Sequence, residues 1–233
     1  WSGYYENGEL SLTPYWRLTD RIHEDDLPTT LHTVRELVTD AIRRQLVSDV
    51  PIGCFLSGGL DSSILAAVAA RSLKKRGQVL DTFSVTYREN ERYFRASRFQ
   101  PNSDDEYIGL MTRALGSRHH RIELDTGELA DALYDAVDAR DLPGMADVDS
   151  SLLLFCKKVR QDITVALSGE CADEIFGGYP WYRDPELRAR EGFPWAQSTV
   201  FRISLLAQAA LGDGDPFRFV EERYRRSMAD THI

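Results

Sequence analysis

Between Ser57 and Ser63 the chain reads SGGLDSS, directly after the apolar run Val50–Leu56 and directly before the helix-like stretch Ile64–Leu73. A strand, a glycine turn and a helix start form a loop suited to phosphate. Gly58 and Gly59 free backbone amides, Ser57, Ser62 and Ser63 add hydroxyls, and the positive end of the following helix dipole aims at the same point. The loop lacks the lysine of the GxxxxGK[ST] pattern and carries Asp61 in its middle instead. A carboxylate beside a polyphosphate requires a divalent cation between them, and Mg2+ is the ion usually held by one or two carboxylates plus phosphate oxygens.

A second segment carries the complementary chemistry. The apolar stretch Ile163–Leu167 runs into SGECADEIFGGY, Ser168–Tyr179, which again puts a serine and a glycine at the end of a strand. Glu170, Asp173 and Glu174 follow in close succession, and Gly177 and Gly178 close the segment. At helical spacing i and i+3, Glu170 and Asp173 are expected on one side of a turn. Asp173 can join Asp61 in holding Mg2+, while Glu170 can act as a general base or orient a second substrate. Taken alone, the acidic segment is equally well a solvated turn with capping roles. The SGGLDSS loop resembles the pyrophosphate loop of the ATP pyrophosphatase enzymes, which split ATP to AMP and pyrophosphate.

The elements that must position these loops are legible from periodicity. Apolar residues at Leu31, Val34, Leu37, Val38, Ala41, Ile42 and Leu46 predict an amphipathic helix over Thr30–Leu46, leading into the motif strand. Gly77 closes the motif helix and Val79–Tyr87 reads as a strand, followed by a polar loop of about fifteen residues through Gln100, Pro101 and Asn102. Asp104–Leu115 is predicted helical, Arg118–Leu124 a strand, Gly127–Val137 a helix, and Ser150–Val159 a helix before the strand Ile163–Leu167. Four strands interleaved with helices predict an α/β fold with a parallel sheet covered on both faces. Ligands of such sheets sit beyond the carboxyl ends of the strands, where both motifs fall. Beyond Arg183 the pattern becomes a helical extension, with Trp195–Leu211 and Phe217–Arg226 as helices. Tyr4 and Tyr5, then Asn7 and Gly8, then Leu10 and Leu12 read as a hairpin, and the absence of an initiating Met before Trp1 suggests a piece of a larger protein. The expected organisation is therefore hairpin and linker over 1–28, a nucleotide-binding α/β domain over 29–183, and the helical extension over 184–233.

Composition narrows the partners. The chain of 233 residues can bury a sizeable core, and its net charge of −9 disfavours a surface for the phosphate backbone of nucleic acid. Its apolar runs are too short for a membrane span, and a soluble, cytoplasmic protein with small-molecule partners is expected. Self-association into a homo-oligomer is left open. Cys54, Cys156 and Cys171 are an odd set without CxxC spacing, so buried reduced thiols are expected rather than disulfides or a zinc centre.

Taken together, PIGCFLSGGLDSS and ALSGECADEIFGGYPWY resemble the two signature segments of the synthetase domain of the asparagine synthetase family, in that order and at a compatible separation. TFSVTY and LGSRHHRIELD also resemble the family's intervening segments, so the likeness runs from about Tyr4 to Tyr182. The resemblance implies an adenine nucleotide alpha hydrolase-like fold. It also implies adenylation of the side-chain carboxylate of aspartate by ATP with Mg2+, release of pyrophosphate, and displacement of AMP by ammonia. By position it implies that Ser57, Gly58, Gly59, Asp61 and Ser62 cradle the pyrophosphate and that Asp61 and Asp173 hold the metal. Leu56, Val85 and Gly169 would meet the AMP moiety with Ser168 beside it, and Glu170 would be the base when ammonia attacks. Glutamine-using members carry an amino-terminal glutaminase domain, which is not expected in this stretch. They also carry a later basic segment that supplies a lysine near the phosphates and helps build the amino-acid pocket. No counterpart is recognised before Ile233, so the pocket is expected to be incomplete. The relatives that form β-lactams, which would activate another carboxylate, and a non-catalytic ATP-binding module are the alternatives.

Other candidates have simpler readings. His119 and His120, adjacent on a strand, point to opposite faces and are expected to be structural rather than a shared metal site. Asp141, Asp147 and Asp149 read as an acidic loop in which Asp149 or Ser150 caps the next helix. Tyr179, Trp181 and Tyr182 read as packing, and Arg223, Arg225 and Arg226 as a solvated helix face. Cys171 stands where the family's GEGADE form has a glycine. It is expected to be a tolerated small residue, since flanking carboxylates disfavour the thiolate a nucleophile needs.

Overall fold

The computed structural model describes residues 1–17, 19, 21–95, 104–142, 144–189, 204 and 214–230, with only the backbone for Glu91, Ala146, Asp147 and 227–230. The chain divides into two compact units, Trp1–Arg44 and Gln45–Ile233. In the first, β1 (Ser2–Glu6) and β2 (Glu9–Thr13) pair antiparallel around Asn7 and Gly8. Both turn residues adopt positive φ, 53° and 86°, as a two-residue hairpin requires. Helix α1 (Leu27–Gln45) starts three residues before the expected Thr30, because the Asp26 carboxylate accepts from the Thr29 amide at 2.9 Å and caps it.

In the second unit, four parallel strands alternate with helices. Strand β3 (Ile52–Phe55) leads into α2 (Leu60–Lys74), then β4 (Asp81–Tyr87), the short α3 (Asn90–Tyr93) and α4 (Asp105–Leu115). Strand β5 (Arg118–Leu124) is followed by α5 (Thr126–Asp131), α6 (Leu133–Arg140) and α7 (Ala146–Val159), and β6 (Val165–Leu167) by α8 (Ala172–Phe176). Helices α9 (Pro180–Arg183), α10 (Pro185–Arg188) and α11 (Pro216–Asp230) complete the described elements. Apart from Ser204, the expected helix Trp195–Leu211 lies outside the described residues, as do Gln100, Pro101 and Asn102.

The sheet order is β5-β4-β3-β6, with Gly53 opposite both Asp81 and Ala166. From β3 the chain winds outward through β4 and β5, then returns to place β6 on the other side of β3. Strands β3 and β6 are thus neighbours, and the loops at their carboxyl ends lie side by side where the strand order reverses. Alternation along the strands feeds two cores. One face packs Cys54 and Leu56 with Ala66, Ala69, Leu73 and Ile108 of α2 and α4. The other packs Phe83 and Leu124 with Phe155 and Val159 of α7. Phe83, fully buried, contributes on the order of 2–3 kcal/mol by its burial alone.

Opposite Phe83, β4 presents Thr82, Ser84 and Thr86, all buried, and β5 satisfies them. Thr82 Oγ1 meets His119 Nδ1 and Ser84 Oγ meets His119 Nε2, each at 3.0 Å. His120 projects to the other face, stacks on Phe83 at 4.6 Å and hydrogen-bonds Asp81 at 2.8 Å. The two histidines point to opposite faces, as their adjacency on a strand predicts.

Helix boundaries differ from expectation elsewhere too. The predicted helix Gly127–Val137 is two helices that meet at Ala132, the first fixed by a capping box between Asp125 and Glu128. Helix α7 begins at Ala146, so neither Asp149 nor Ser150 is its cap; Asp149 lies inside the helix, and its carboxylate pairs with Arg140 at 2.7 Å. The polar loop after β4 contains α3.

Candidate active site

The SGGLDSS loop closes on itself through Ser62. The Ser57 amide donates to Ser62 Oγ at 3.2 Å, the two serine hydroxyls are 3.0 Å apart, and Ser62 Oγ donates to the Gly59 carbonyl at 3.2 Å. Ser62 is buried and braces the turn, while Ser57 is exposed at its mouth. Helix α2 starts at Leu60, so Asp61 and Ser62 lie in its first turn rather than ahead of it. The unsatisfied amides of that turn and the helix dipole face the same opening. Gly58 has φ +85°, and a Cβ there would stand 2.9 Å from the Asp104 carbonyl oxygen. The loop is thus pressed beneath the start of α4, and only glycine fits.

The strand β6 delivers Ser168, Gly169 and Glu170 against this loop. A Cβ on Gly169 would stand 3.1 Å from both Asp61 Cβ and the Ser62 nitrogen, so the two motif loops touch. Ser168 Oγ accepts from the Glu170 amide at 3.3 Å. Cys171 then turns the chain with φ +70° and α8 begins at Ala172. Glu170 therefore precedes the helix, and the expected i, i+3 relation to Asp173 on one turn does not hold: the left-handed residue between them breaks the period. Gly178 packs directly against the Asp173 carboxylate, and Tyr179 donates to Glu174 at 3.0 Å, which pushes its phenol up to about 12. Tyr179 stacks on Trp181 at 4.4 Å, in keeping with a packing role for the aromatic cluster.

These loops and the end of β4 enclose a cleft of about 700 Å³. Six carboxylates line it, Asp61, Asp104, Asp105, Glu170, Asp173 and Glu174, and among its described lining residues there is no lysine or arginine. The Asp61 carboxyl is raised above its ordinary range by burial and then by the charge of Asp173. Leu56 is buried at the end of β3, whereas Val85 on β4 faces the cleft and is 37% exposed.

Among the described residues, no group of three or more His, Cys, Asp or Glu side chains could by itself hold a metal ion. Two carboxylates can do so only with oxygens from the ligand, which is the way Mg2+ is held at a polyphosphate. The residues fit that arrangement: amides and hydroxyls of the SGGLDSS loop would face the phosphates, and the paired carboxylates would require a cation between themselves and an anion. Of the three thiols only Cys54 is buried as expected, and burial raises it to about 12; Cys156 and Cys171 are exposed, and Cys171 lines the cleft. Sequence reasoning missed Asp105, Tyr87 and Ser151 in the cleft wall. Tyr87, two residues beyond Val85 on the same strand face, was the one with a readable signal.

A parallel sheet with helices on both faces, and two serine- and glycine-bearing loops meeting at its switch point, define an α/β domain of the adenine nucleotide alpha hydrolase-like class. Comparison with known proteins carries this one step further. Residues 33–232 match the asparagine synthase family, and the chain belongs to that family. It is 48% identical to the glutamine-hydrolysing asparagine synthetase 3 of Bacillus subtilis, over 96% of this chain and 36% of the relative. It is 30% identical to synthetase 1 of the same organism, over 97% of this chain and 33% of the relative. The glutamine-hydrolysing asparagine synthetase 1 of Saccharomyces cerevisiae is 30% identical over 73% of this chain and 33% of its own length. The chain thus spans about a third of the length of these relatives. No described helix is long and apolar enough to cross a membrane.

Proposed function

We propose that the chain is the synthetase part of an ATP-dependent amide ligase that activates the side-chain carboxylate of aspartate and forms asparagine with ammonia. The observation that carries this reading is the contact of the two motif loops at Gly169 and Asp61, with Asp61 and Asp173 close enough to repel. Membership of a family whose relatives are named asparagine synthetases supports the choice of aspartate.

Ser57, Gly58, Gly59 and Ser62, with the first-turn amides of α2, hold the β- and γ-phosphates. Leu56, Val85, Ser168 and Gly169 hold the AMP portion. Asp61 and Asp173 hold Mg2+, which when bound neutralises phosphate charge. In the first step a carboxylate oxygen of aspartate forms a bond to the α-phosphorus, and the bond to the bridging oxygen breaks, its electron pair leaving with pyrophosphate. Such a reaction needs positioning and charge stabilisation rather than a protein nucleophile. In the second step the nitrogen lone pair of ammonia attacks the acyl carbon, AMP leaves with the electrons of the C–O bond, and Glu170 takes a proton from nitrogen. Glu170 is exposed in the cleft wall beside Ser168, so it has room for an incoming amine.

The test is pyrophosphate release from ATP and Mg2+ with and without aspartate and ammonium, on this chain and on the longer protein. Release that depends on aspartate is expected. Release indifferent to aspartate would redirect the reading to another carboxylate.

A further inference from the structure

The helix that carries Asp173 ends abruptly. Helix α8 has only five residues, and Gly177 stops it by turning left-handed at φ +67°. The amides of Gly177 and Gly178 both donate to the Asp173 carbonyl, the second at 3.0 Å. Such a turn folds the residue after the left-handed one back onto the last turn of the helix, where the two side chains that meet are often both apolar. Here one of that pair is a carboxylate, and the other has no side chain at all.

The consequence falls on Asp173. A Cβ on Gly178 would stand 2.7 Å from Asp173 Cγ and 3.2 Å from its Cα, and would overlap the carboxylate oxygen Oδ1 outright. Relief must come from the Asp173 side chain, because Gly178 is also held from beyond the turn: its carbonyl accepts from the Arg183 guanidinium. The next staggered position of that side chain lies about 120° away and would carry the carboxylate from its place near Asp61 in the cleft. Mg2+ takes oxygen ligands at about 2.0–2.1 Å in near-octahedral geometry and tolerates little displacement. Gly177 differs, because a Cβ there meets nothing nearer than Tyr182 Cβ at 3.6 Å.

We propose that Gly178 is a positioning residue for the metal: its bare Cα leaves the space in which the Asp173 carboxylate is seated, and Arg183 pins Gly178 in register. The inference rests on the reading of Asp173 as a ligand of Mg2+. It adds two residues that lie outside the cleft lining. Groups that orient a metal ligand are commonly worth about ten- to a hundredfold in metal affinity.

The test is titration calorimetry of this chain with Mg2+ and ATP, for the parent, Gly178→Ala, Gly177→Ala, Asp173→Ala and the double variant of Asp173→Ala with Gly178→Ala. Gly178→Ala is expected to weaken binding about tenfold or more. Gly177→Ala, which strains the same turn without reaching the carboxylate, should stay within about threefold of the parent. Once Asp173 is truncated, Gly178→Ala should cost no more than about twofold further, because it acts through that side chain. In the ligand-free chain, three-bond couplings should show a new Asp173 χ1 rotamer in Gly178→Ala and the parent rotamer in Gly177→Ala. Unchanged affinity or an unchanged rotamer in Gly178→Ala would overturn the proposal, and so would an equal loss in Gly177→Ala, or an equal loss with and without the Asp173 side chain. Parent-like affinity in Asp173→Ala would instead overturn the reading of Asp173 as a metal ligand, and a parent that binds no nucleotide would overturn the ATP reading beneath both. Should Gly178→Ala fail to fold, Arg183→Met, which frees the Gly178 carbonyl, carries the test: a loss of about two- to fivefold is expected with Asp173 present and none without it, and no loss in either case would overturn the proposal.

Discussion

Burial and then the carboxylate of Asp173 hold the Asp61 carboxyl above the ordinary carboxylate range, although the two residues belong to the first turns of different helices, α2 and α8. The folded chain therefore binds this proton more tightly than the unfolded chain. The stabilisation that follows is complete below the unfolded value of 3.8 and is lost as pH rises through the raised value. At neutral pH the ligand-free cleft carries an unrelieved repulsion, which a cation removes.

Replacing either partner should show this. Asp61→Asn and Asp173→Asn are each expected to raise the melting temperature of the ligand-free protein at pH 7 by about 1–2 °C, as a change of a few tenths of a kcal/mol gives. At pH 3 the gain should vanish, since the Asp61 carboxyl, raised above 3.8, is then protonated and the repulsion is gone. Mg2+ with ATP should raise the melting temperature of the parent and do so far less in either variant. Thermal melts at the two pH values, with and without the ligand pair, check all of this; an equal ligand shift in parent and variants would remove these carboxylates from the metal.

Gly58 and Gly59 should respond differently to a methyl group. Gly58→Ala places a side chain at φ +85° and 2.9 Å from the Asp104 carbonyl oxygen, which cannot move without shifting α4. A cost of about 1–3 kcal/mol is expected, or roughly 3–10 °C in melting temperature, with weakened ATP binding. At Gly59 the nearest atom to the added Cβ is the Ser57 hydroxyl at 3.5 Å and φ is −69°, so Gly59→Ala meets no clash and should lose only about 0.5–1 kcal/mol, the disadvantage of alanine at an N-cap. Melts of the two variants side by side separate backbone constraint from mere replacement.

Cys171 holds φ +70° at the turn between Gly169 and α8, a conformation that costs a side chain about 1 kcal/mol and costs glycine almost nothing. Cys171→Gly is therefore expected to stabilise by about 0.5–1 kcal/mol, after the extra freedom glycine gives the unfolded chain, or roughly 1–4 °C. Denaturant melts measure it directly. Cys171→Ala, which keeps the strain, should show no gain and serves as the control.

How much of this was legible in the sequence follows from the range of the forces involved. Strand β5 was read to the residue as Arg118–Leu124, because alternation and a preceding glycine act locally. Both motif loops were placed at the carboxyl edge of one parallel sheet because the alternation of strands and helices restricts topology so strongly, whereas the pairing of β3 with β6 that makes them neighbours is a long-range choice. The relation of Glu170 to Asp173 was misjudged because a helical period was assumed across Cys171, a residue that turns left-handed although it is not glycine. The cap of α7 was misplaced because Asp149 has a distant partner, Arg140, which no local pattern announces. The hydrogen bond between the Tyr87 and Ser151 hydroxyls joins residues 64 apart and has no signature short of the fold itself.

The buried ladder beneath β4 yields a pH dependence of the opposite sign. His119 has both ring nitrogens engaged, by Thr82 and Ser84, and Thr82 is engaged in turn by Ser117 at 3.1 Å. Burial, then the neighbouring His120 and Arg121, lower the His119 pKa below 6.5, so the ring is neutral in the folded chain. Its contribution is present above pH 6.5 and lost as pH falls through the folded value, because only the unfolded chain takes up the proton readily. Removal of the ring leaves two buried hydroxyls to find other partners. His119→Gln is expected to cost about 1–2 kcal/mol at pH 7.5, as one or two net hydrogen bonds would. The gap to the parent should narrow steadily between pH 6.5 and pH 5, since the variant lacks the group that titrates. Guanidinium melts at pH 7.5, 6.5 and 5.5 measure that gap, and a constant gap would mean that the ring is not the titrating group. A two-dimensional spectrum following the His119 ring protons would then locate its proton uptake directly.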